Sequence, residues 1–236
     1  MSSYTVDPIG VIRSCYSEKF GVPRQPRLVT AATGTLEFFP RFGRPEMLNQ
    51  LEEFTHIWVI FLFHDTLAEG WKPTARPPRL GGQKRVGVYA SRSPHRPNHI
   101  GMSAVRLDRV VTDDRPVRLE LSGVDLLDGT PVLDIKPYIP YSDIVDGAGC
   151  GYTLDSIPRV ELVMAGQVEE FCRSYQHDTG RNLRELIVQT LQNDPRPASQ
   201  RQRAVVREFG VLLWDVNVRW RATGQGFEVF SCERLG

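Results

Sequence analysis

The stretch Ile57-Trp58-Val59-Ile60-Phe61-Leu62-Phe63 decides the architecture. It is the longest unbroken apolar run in the chain, and far shorter than the roughly 20 residues a bilayer span requires. Bulky and β-branched at that length, it reads as a buried central strand. Working outward, residues 9–12 and 34–39 before it carry strand character. So do 85–90, 103–107, 117–121 and 131–135 after it. Clusters of Gly, Pro, Asn and Asp, such as Asp113-Asp114 and Asp128-Gly129, separate them. Only 45–54 looks helical in this half, with Met47, Leu48, Leu51 and Phe54 at helical spacing. Many short strands joined by turns predict a mainly β fold: a closed or nearly closed barrel over 1–145.

The pattern changes after residue 138. Residues 138–158 hold prolines around a Gly-rich centre and read as a linker. Val168, Phe171, Cys172 and Tyr175 then recur at helical spacing. Asn182 is placed to cap a second helix bearing Leu183, Leu186, Ile187 and Leu191. Asp194-Pro195-Arg196-Pro197 ends it. Strands over 211–221 and 227–232, joined by Thr223-Gly224-Gln225-Gly226, make a hairpin. The expectation is a small α+β C-terminal domain over 158–236. The glycines of 145–151 look like a Rossmann nucleotide loop, but no strand precedes them and no long helix follows, so the linker reading stands.

Composition bounds the function. The chain has 236 residues, 41% hydrophobic and 24% charged, which are globular values. Lys and Arg number 29 against 28 Asp and Glu, a net charge of +1, so any nucleic-acid contact must come from local clusters. Cys15, Cys150, Cys172 and Cys232 lack metal-ligand spacing and read as reduced thiols. The N-terminus lacks the pattern of a signal peptide. A cytoplasmic protein without a metal is expected.

The densest set of functional residue types is Ser91-Arg92-Ser93-Pro94-His95-Arg96-Pro97-Asn98-His99-Ile100-Gly101. Prolines stiffen it and lower the entropy lost on binding. Arg92 and Arg96 suit a carboxylate or a phosphate. Asp134, Lys136 and Tyr138, at alternate positions, share one face of a strand. An acid, an ammonium and a phenol there suit proton transfer or substrate orientation. Asp125 to Asp128 form the preceding turn, for which an ordinary Asx-turn is the plain alternative. The loop 20–27 offers Arg24, Gln25 and Arg27. His64-Asp65 closes the central strand. The loop 70–84, rich in Pro, Gly and basic residues, presents Trp71, Arg76 and Arg79.

Seven segments together carry a family resemblance: IGVIRS, FGVPRQP, LEEFTHIWVIFLFH, RPPRLGG, SRSPHRPNHIGMS, LLDGTPVLDIKPY and DPRPA. The chain resembles the TsaA/YaeB-like family, whose characterised members are the TrmO tRNA methyltransferases. The resemblance implies an N-terminal β-barrel that binds S-adenosyl-L-methionine, a small C-terminal domain and a homodimer. It implies N6-methylation of N6-threonylcarbamoyladenosine next to the anticodon of tRNA. By motif position, cofactor contacts fall on Arg24, Gln25, Pro26, His64, Asp65, Arg92 and Met102, and on the turn Asp125, Leu126, Leu127 and Asp128. His95 and His99 occupy variable motif positions and receive no catalytic role.

Methylating a urea-like nitrogen requires removal of its proton, and Asp134 is the first candidate base, with Tyr138 second. Lys136 would hold the substrate carboxylate or tune Asp134. Arg76, Arg79, Arg92 and Arg96 would meet carboxylate or phosphate, and Trp71 a base. The alternatives are a non-catalytic RNA-binding barrel and a hydrolase. The second is disfavoured because no Ser or Cys lies in a nucleophile-elbow pattern.

Overall fold

A computed structural model describes residues 4–80, 82–149, 151–153, 159–201 and 207–235. Eight strands fall in the first part: β1 (Gly10–Ser14), β2 (Thr33–Phe38), β3 (His56–Leu62), β4 (Thr74–Ala75), β5 (Val86–Gly87), β6 (Ile100–Val111), β7 (Arg118–Ser122) and β8 (Pro131–Pro137). Six of them close into a barrel in the order β1-β2-β7-β6-β3-β8, with β8 returning to β1. Every pairing in the barrel is antiparallel. Closure removes the open edges that a sheet of this size would otherwise expose.

The decisive run is a central strand, held between β6 and β8. It is not uniformly buried. Ile57, Val59 and Phe61 point into the barrel, while His56, Trp58, Ile60 and Leu62 lie half-buried on its outside. A continuous apolar run therefore serves two faces: the interior and a partly covered outer surface. Ile12, Leu36, Val105, Leu107, Leu119, Leu121 and Val132 complete the interior. The Phe61 ring fills the space beside Gly101, where an added Cβ would stand 2.4 Å from the ring. That close approach is why the histidine- and arginine-rich loop ends in glycine.

Two expectations in this half are corrected. Residues 45–54 do not form an α-helix. They make two 3-10 turns, Pro45–Met47 and Leu51–Glu53, broken by Gln50 at φ 65°. Of the four apolar residues at helical spacing only Leu48 is buried, so a longer helix would have had little to bury. Residues 85–90 are not a barrel strand. The two-residue β5 pairs back onto β4 of the long loop, and a 3-10 turn, Val88–Ala90, follows.

The second part contains α1 (Pro140–Asp143), β9 (Leu162–Met164), α2 (Gly166–Thr179), α3 (Leu183–Gln192), α4 (Ala198–Arg201), β10 (Glu208–Leu213), β11 (Val216–Ala222) and β12 (Phe227–Arg234). The sheet order is β10-β11-β12-β9, with β9 parallel to β12. Asn182 does cap α3: its side chain accepts from the Glu185 amide at 3.0 Å. The expected hairpin is β11–β12. The strand expected over 211–221 is in fact two, split by a turn at Trp214 (φ 53°) and Asp215. Burial parity switches across that turn, from Val211 and Leu213 to Val216, Val218 and Trp220. Part of the expected linker is anchored: Asp143 accepts from Trp58 Nε1 at 3.0 Å, and the Tyr152 hydroxyl donates to the Ala90 carbonyl at 2.9 Å. Cys150 and the boundary at Pro158 lie outside the described residues.

The two parts share one apolar core. Tyr16 bridges to Leu213, the Trp214 amide donates to the Cys15 carbonyl at 2.9 Å, and the Leu212 amide donates to Glu18 at 3.0 Å. Burial pushes the Cys15 thiol up to about 12, so it is an inert packing group rather than a nucleophile. Among the described residues no helix is long and apolar enough to cross a membrane.

Candidate active site

The predicted residues fall into three clusters around β6 and β3. In the first, three separate loops meet. Gln25, on the long β1–β2 connection, accepts a hydrogen bond from the Arg92 guanidinium. Arg92 in turn lies near enough to Asp125 for its charge to favour the carboxylate. Ser103, which points inward from β6, also favours the ionised form of Asp125. Asp125 Oδ1 is buried and has no hydrogen-bond partner. Burial is the largest influence on this carboxyl and lifts it from the ordinary 3.8 to about 6, against the opposing effects of Ser103 and Arg92. A buried acceptor left unpaired beside a guanidinium is costly, and that cost marks this turn as a candidate site.

The turn carrying Asp125 is pinned to β1. Ser14 Oγ donates to the Leu126 carbonyl at 2.7 Å, and the Ser14 amide donates to Asp128 Oδ1 at 2.9 Å. The Asp128 amide donates to the Tyr16 carbonyl at 2.7 Å. Leu126 is buried, so only its backbone can reach a ligand, and the Leu127 carbonyl already accepts from Thr130 Oγ1 at 2.6 Å. The Asp128 carboxylate is thus a cross-strand staple more than the local Asx-turn that its sequence position suggests.

In the second cluster, His64 and Asp65 open the 3-10 turn His64–Glu69 that follows β3. Asp65 pairs with Lys19 Nζ at 2.6 Å, and Glu69 Oε2 lies 2.9 Å from His95 Nε2. The His95 hydrogen bond holds the Glu69 carboxyl below its usual range. Arg96 braces its own loop by donating to the Ser91 carbonyl at 3.2 Å. The loop's tight ending is visible in Asn98 (φ 65°) and His99 (φ 51°).

The third cluster lies on the outer face of the barrel. Asp134 and Lys136 do share a face and pair at 3.3 Å. Tyr138 stacks at a tilt on Trp58, 5.5 Å between ring centres. Met102 and Asp134 flank Ile60 in one cross-strand row. The β3–β8 register shifts beside that row, after Ile60; such irregularities commonly re-aim side chains near sites. The acid–ammonium–phenol face and the methionine assigned to the cofactor are thereby neighbours.

Family models match both halves: the tRNA-methyltransferase O N-terminal domain over residues 11–144 and the TrmO C-terminal domain over 158–235. The chain belongs to the TrmO family. Among the curated relatives, the tRNA (adenine(37)-N6)-methyltransferase of Escherichia coli (strain K12) is 45% identical over 99% of both chains. A Pseudomonas aeruginosa protein, provisionally named S-adenosylmethionine-dependent methyltransferase RcsF, is 49% identical over 92% of both. A crystal structure of TrmO from P. aeruginosa superimposes with a TM-score of 0.82 at 40% identity, covering 99% of this chain and 98% of that one. The mainly β barrel expected from sequence is therefore the fold of this TrmO-family chain.

Sequence reasoning missed Ser103, Lys19 and Glu69. For Ser103 a signal existed: it is the polar residue among inward positions otherwise filled by Gly101, Val105 and Leu107. Lys19 and Glu69 gave none, because their cluster joins segments remote in sequence.

Proposed function

We propose that this protein is an S-adenosylmethionine-dependent tRNA methyltransferase that methylates N6 of N6-threonylcarbamoyladenosine at the position next to the anticodon. Its family membership over both halves, with 45% identity to an enzyme named tRNA (adenine(37)-N6)-methyltransferase, carries this reading. The residues present fit the cofactor. The buried, unpaired carboxylate oxygen of Asp125 suits a cationic ligand beside its turn, and the nearby guanidinium of Arg92 suits a carboxylate. Bound S-adenosylmethionine supplies the methyl group as an electrophile. Arg24, Gln25, Pro26, His64, Asp65, Arg92, Met102 and the turn 125–128 would hold it.

Asp134 takes the proton from the acceptor nitrogen, and Lys136 holds the threonyl carboxylate beside it. Tyr138, packed on Trp58, fixes the edge of that face. The solvent-exposed Trp71 and the basic residue Arg76 in the long loop meet the anticodon arm. The chemistry asks for no metal ion, because the donor sulfur already carries positive charge. The protein works in the cytoplasm as a homodimer, the assembly that the resemblance to its family implies.

The test is Asp134→Asn assayed with tRNA bearing the threonylcarbamoyl group. Transfer of labelled methyl is expected to fall at least about a hundredfold, while calorimetry shows S-adenosylmethionine binding retained. Near-normal transfer would remove Asp134 from the role of base.

A further inference from the structure

The β1–β2 connection that carries Arg24, Gln25 and Pro26 has no regular structure of its own in the stretch 24–32, so something else must hold it. On one side the barrel does. The Arg27 amide donates to the Gly123 carbonyl at 2.9 Å, and the Gly123 amide donates to the Ala32 carbonyl at 2.8 Å. Arg27 sits at φ 65°, a strained conformation for a residue with a side chain, which must be held by its surroundings. On the other side the loop is held by α3. Gln189 Oε1 accepts from the Ala31 amide at 3.0 Å and from Thr30 Oγ1 at 3.2 Å. Asn193 Nδ2 donates to the Leu28 carbonyl at 3.2 Å and to the Gln189 carbonyl at 2.7 Å. Gln189 is itself oriented, since its Nε2 donates to Glu185 Oε1 at 2.7 Å. Just beyond α3, the Arg196 carbonyl accepts from Arg24 Nη2 at 3.4 Å.

We infer that Gln189 of α3 is a positioning residue for the methyl-donor site: the C-terminal part clamps the 24–32 loop so that Gln25 meets Arg92. This rests on the assignment of residues 24–26 to the cofactor site. The physical argument is pre-organisation. A structureless loop must be ordered before it can bind, and hydrogen bonds made in the free protein remove that cost from the binding step. Gln189 touches neither Gln25 nor Arg92 in these bonds; it acts through the backbone of residues 30 and 31. The C-terminal part of this chain is thereby a structural part of the donor site, whatever else it contacts.

The test compares Gln189→Ala, Gln189→Glu/Glu185→Gln and Gln25→Ala in the full chain. Gln189→Ala loses the acceptor of two bonds. The double variant keeps an oxygen facing Ala31 and Thr30 and restores the helix bond with donor and acceptor exchanged. Loss of a bond of ordinary strength predicts that Gln189→Ala raises Kd for S-adenosylmethionine in calorimetry about fivefold. KM for it rises in parallel, kcat at saturation holds, and hydrogen exchange at the Ala31 amide speeds up without cofactor. The double variant is expected to recover most of the affinity. Unchanged affinity in Gln189→Ala, alongside a loss in Gln25→Ala, overturns the clamp. Unchanged affinity in both overturns the assignment of the loop to the cofactor site, and the clamp with it.

Discussion

Asp125 is the residue whose chemistry departs most clearly from its sequence appearance. In sequence it is one of two aspartates in a turn. In the fold it is a carboxyl raised to about 6 by burial, with Oδ1 unpaired. Because its folded value lies above the ordinary 3.8, the folded state holds a proton that the unfolded chain has lost between about pH 4 and 6. Stability from this group therefore falls as pH rises through that window. Asp125→Asn should flatten that slope and raise Tm at pH 8 relative to the parent, which thermal scans across pH will check. A cationic ligand beside the carboxylate pulls its pKa down, so S-adenosylmethionine should bind more weakly at pH 5 than at pH 8. The Asn variant should lose that dependence in calorimetry. A pH-independent affinity in the parent would place the sulfonium ligand away from Asp125. The sequence pointed to this turn mostly through family resemblance, since burial of its carboxyl depends on strands far away in the chain.

At the scale of elements, the strand pattern was legible wherever a face was buried by alternation, and illegible where backbone conformation decided the outcome. The spacing in β3 was read correctly as a strand, while its half-buried outer face was hidden because apolar residues line both sides. The false helix at 45–54 and the false single strand at 211–221 share a cause: one residue at positive φ, Gln50 or Trp214, interrupts the element. Neither is glycine, so no composition signal marked them. Gly101 gives a direct test of barrel packing. Gly101→Ala drives a methyl into the Phe61 ring and should cost about 1–3 kcal/mol, read as a lowered midpoint in urea unfolding. A neutral result would mean that the ring moves freely, contrary to a filled interior. Asn182→Ala removes the α3 cap and should cost about 1 kcal/mol by the same measurement.

For the whole molecule, the sequence expectation of separate parts at 1–145 and 158–236 meets a core that runs continuously from the barrel into the C-terminal helices. We propose two domains by sequence that melt as one body. Calorimetry should show a single transition, and two resolved transitions would contradict the shared core. That coupling was invisible beforehand because each seam contact, such as Tyr16 with Leu213 or Ala31 with Gln189, joins residues remote in sequence. The candidate site was legible as a list of motifs, though not as geometry. The central claim is chemical. Purified protein should be incubated with S-adenosylmethionine and tRNA carrying N6-threonylcarbamoyladenosine, the tRNA digested, and its nucleosides weighed by mass spectrometry. The account predicts that this nucleoside gains a single methyl at N6 and that unmodified adenosine does not. A threonylcarbamoyl nucleoside of unchanged mass, with folded protein and bound S-adenosylmethionine, would contradict it.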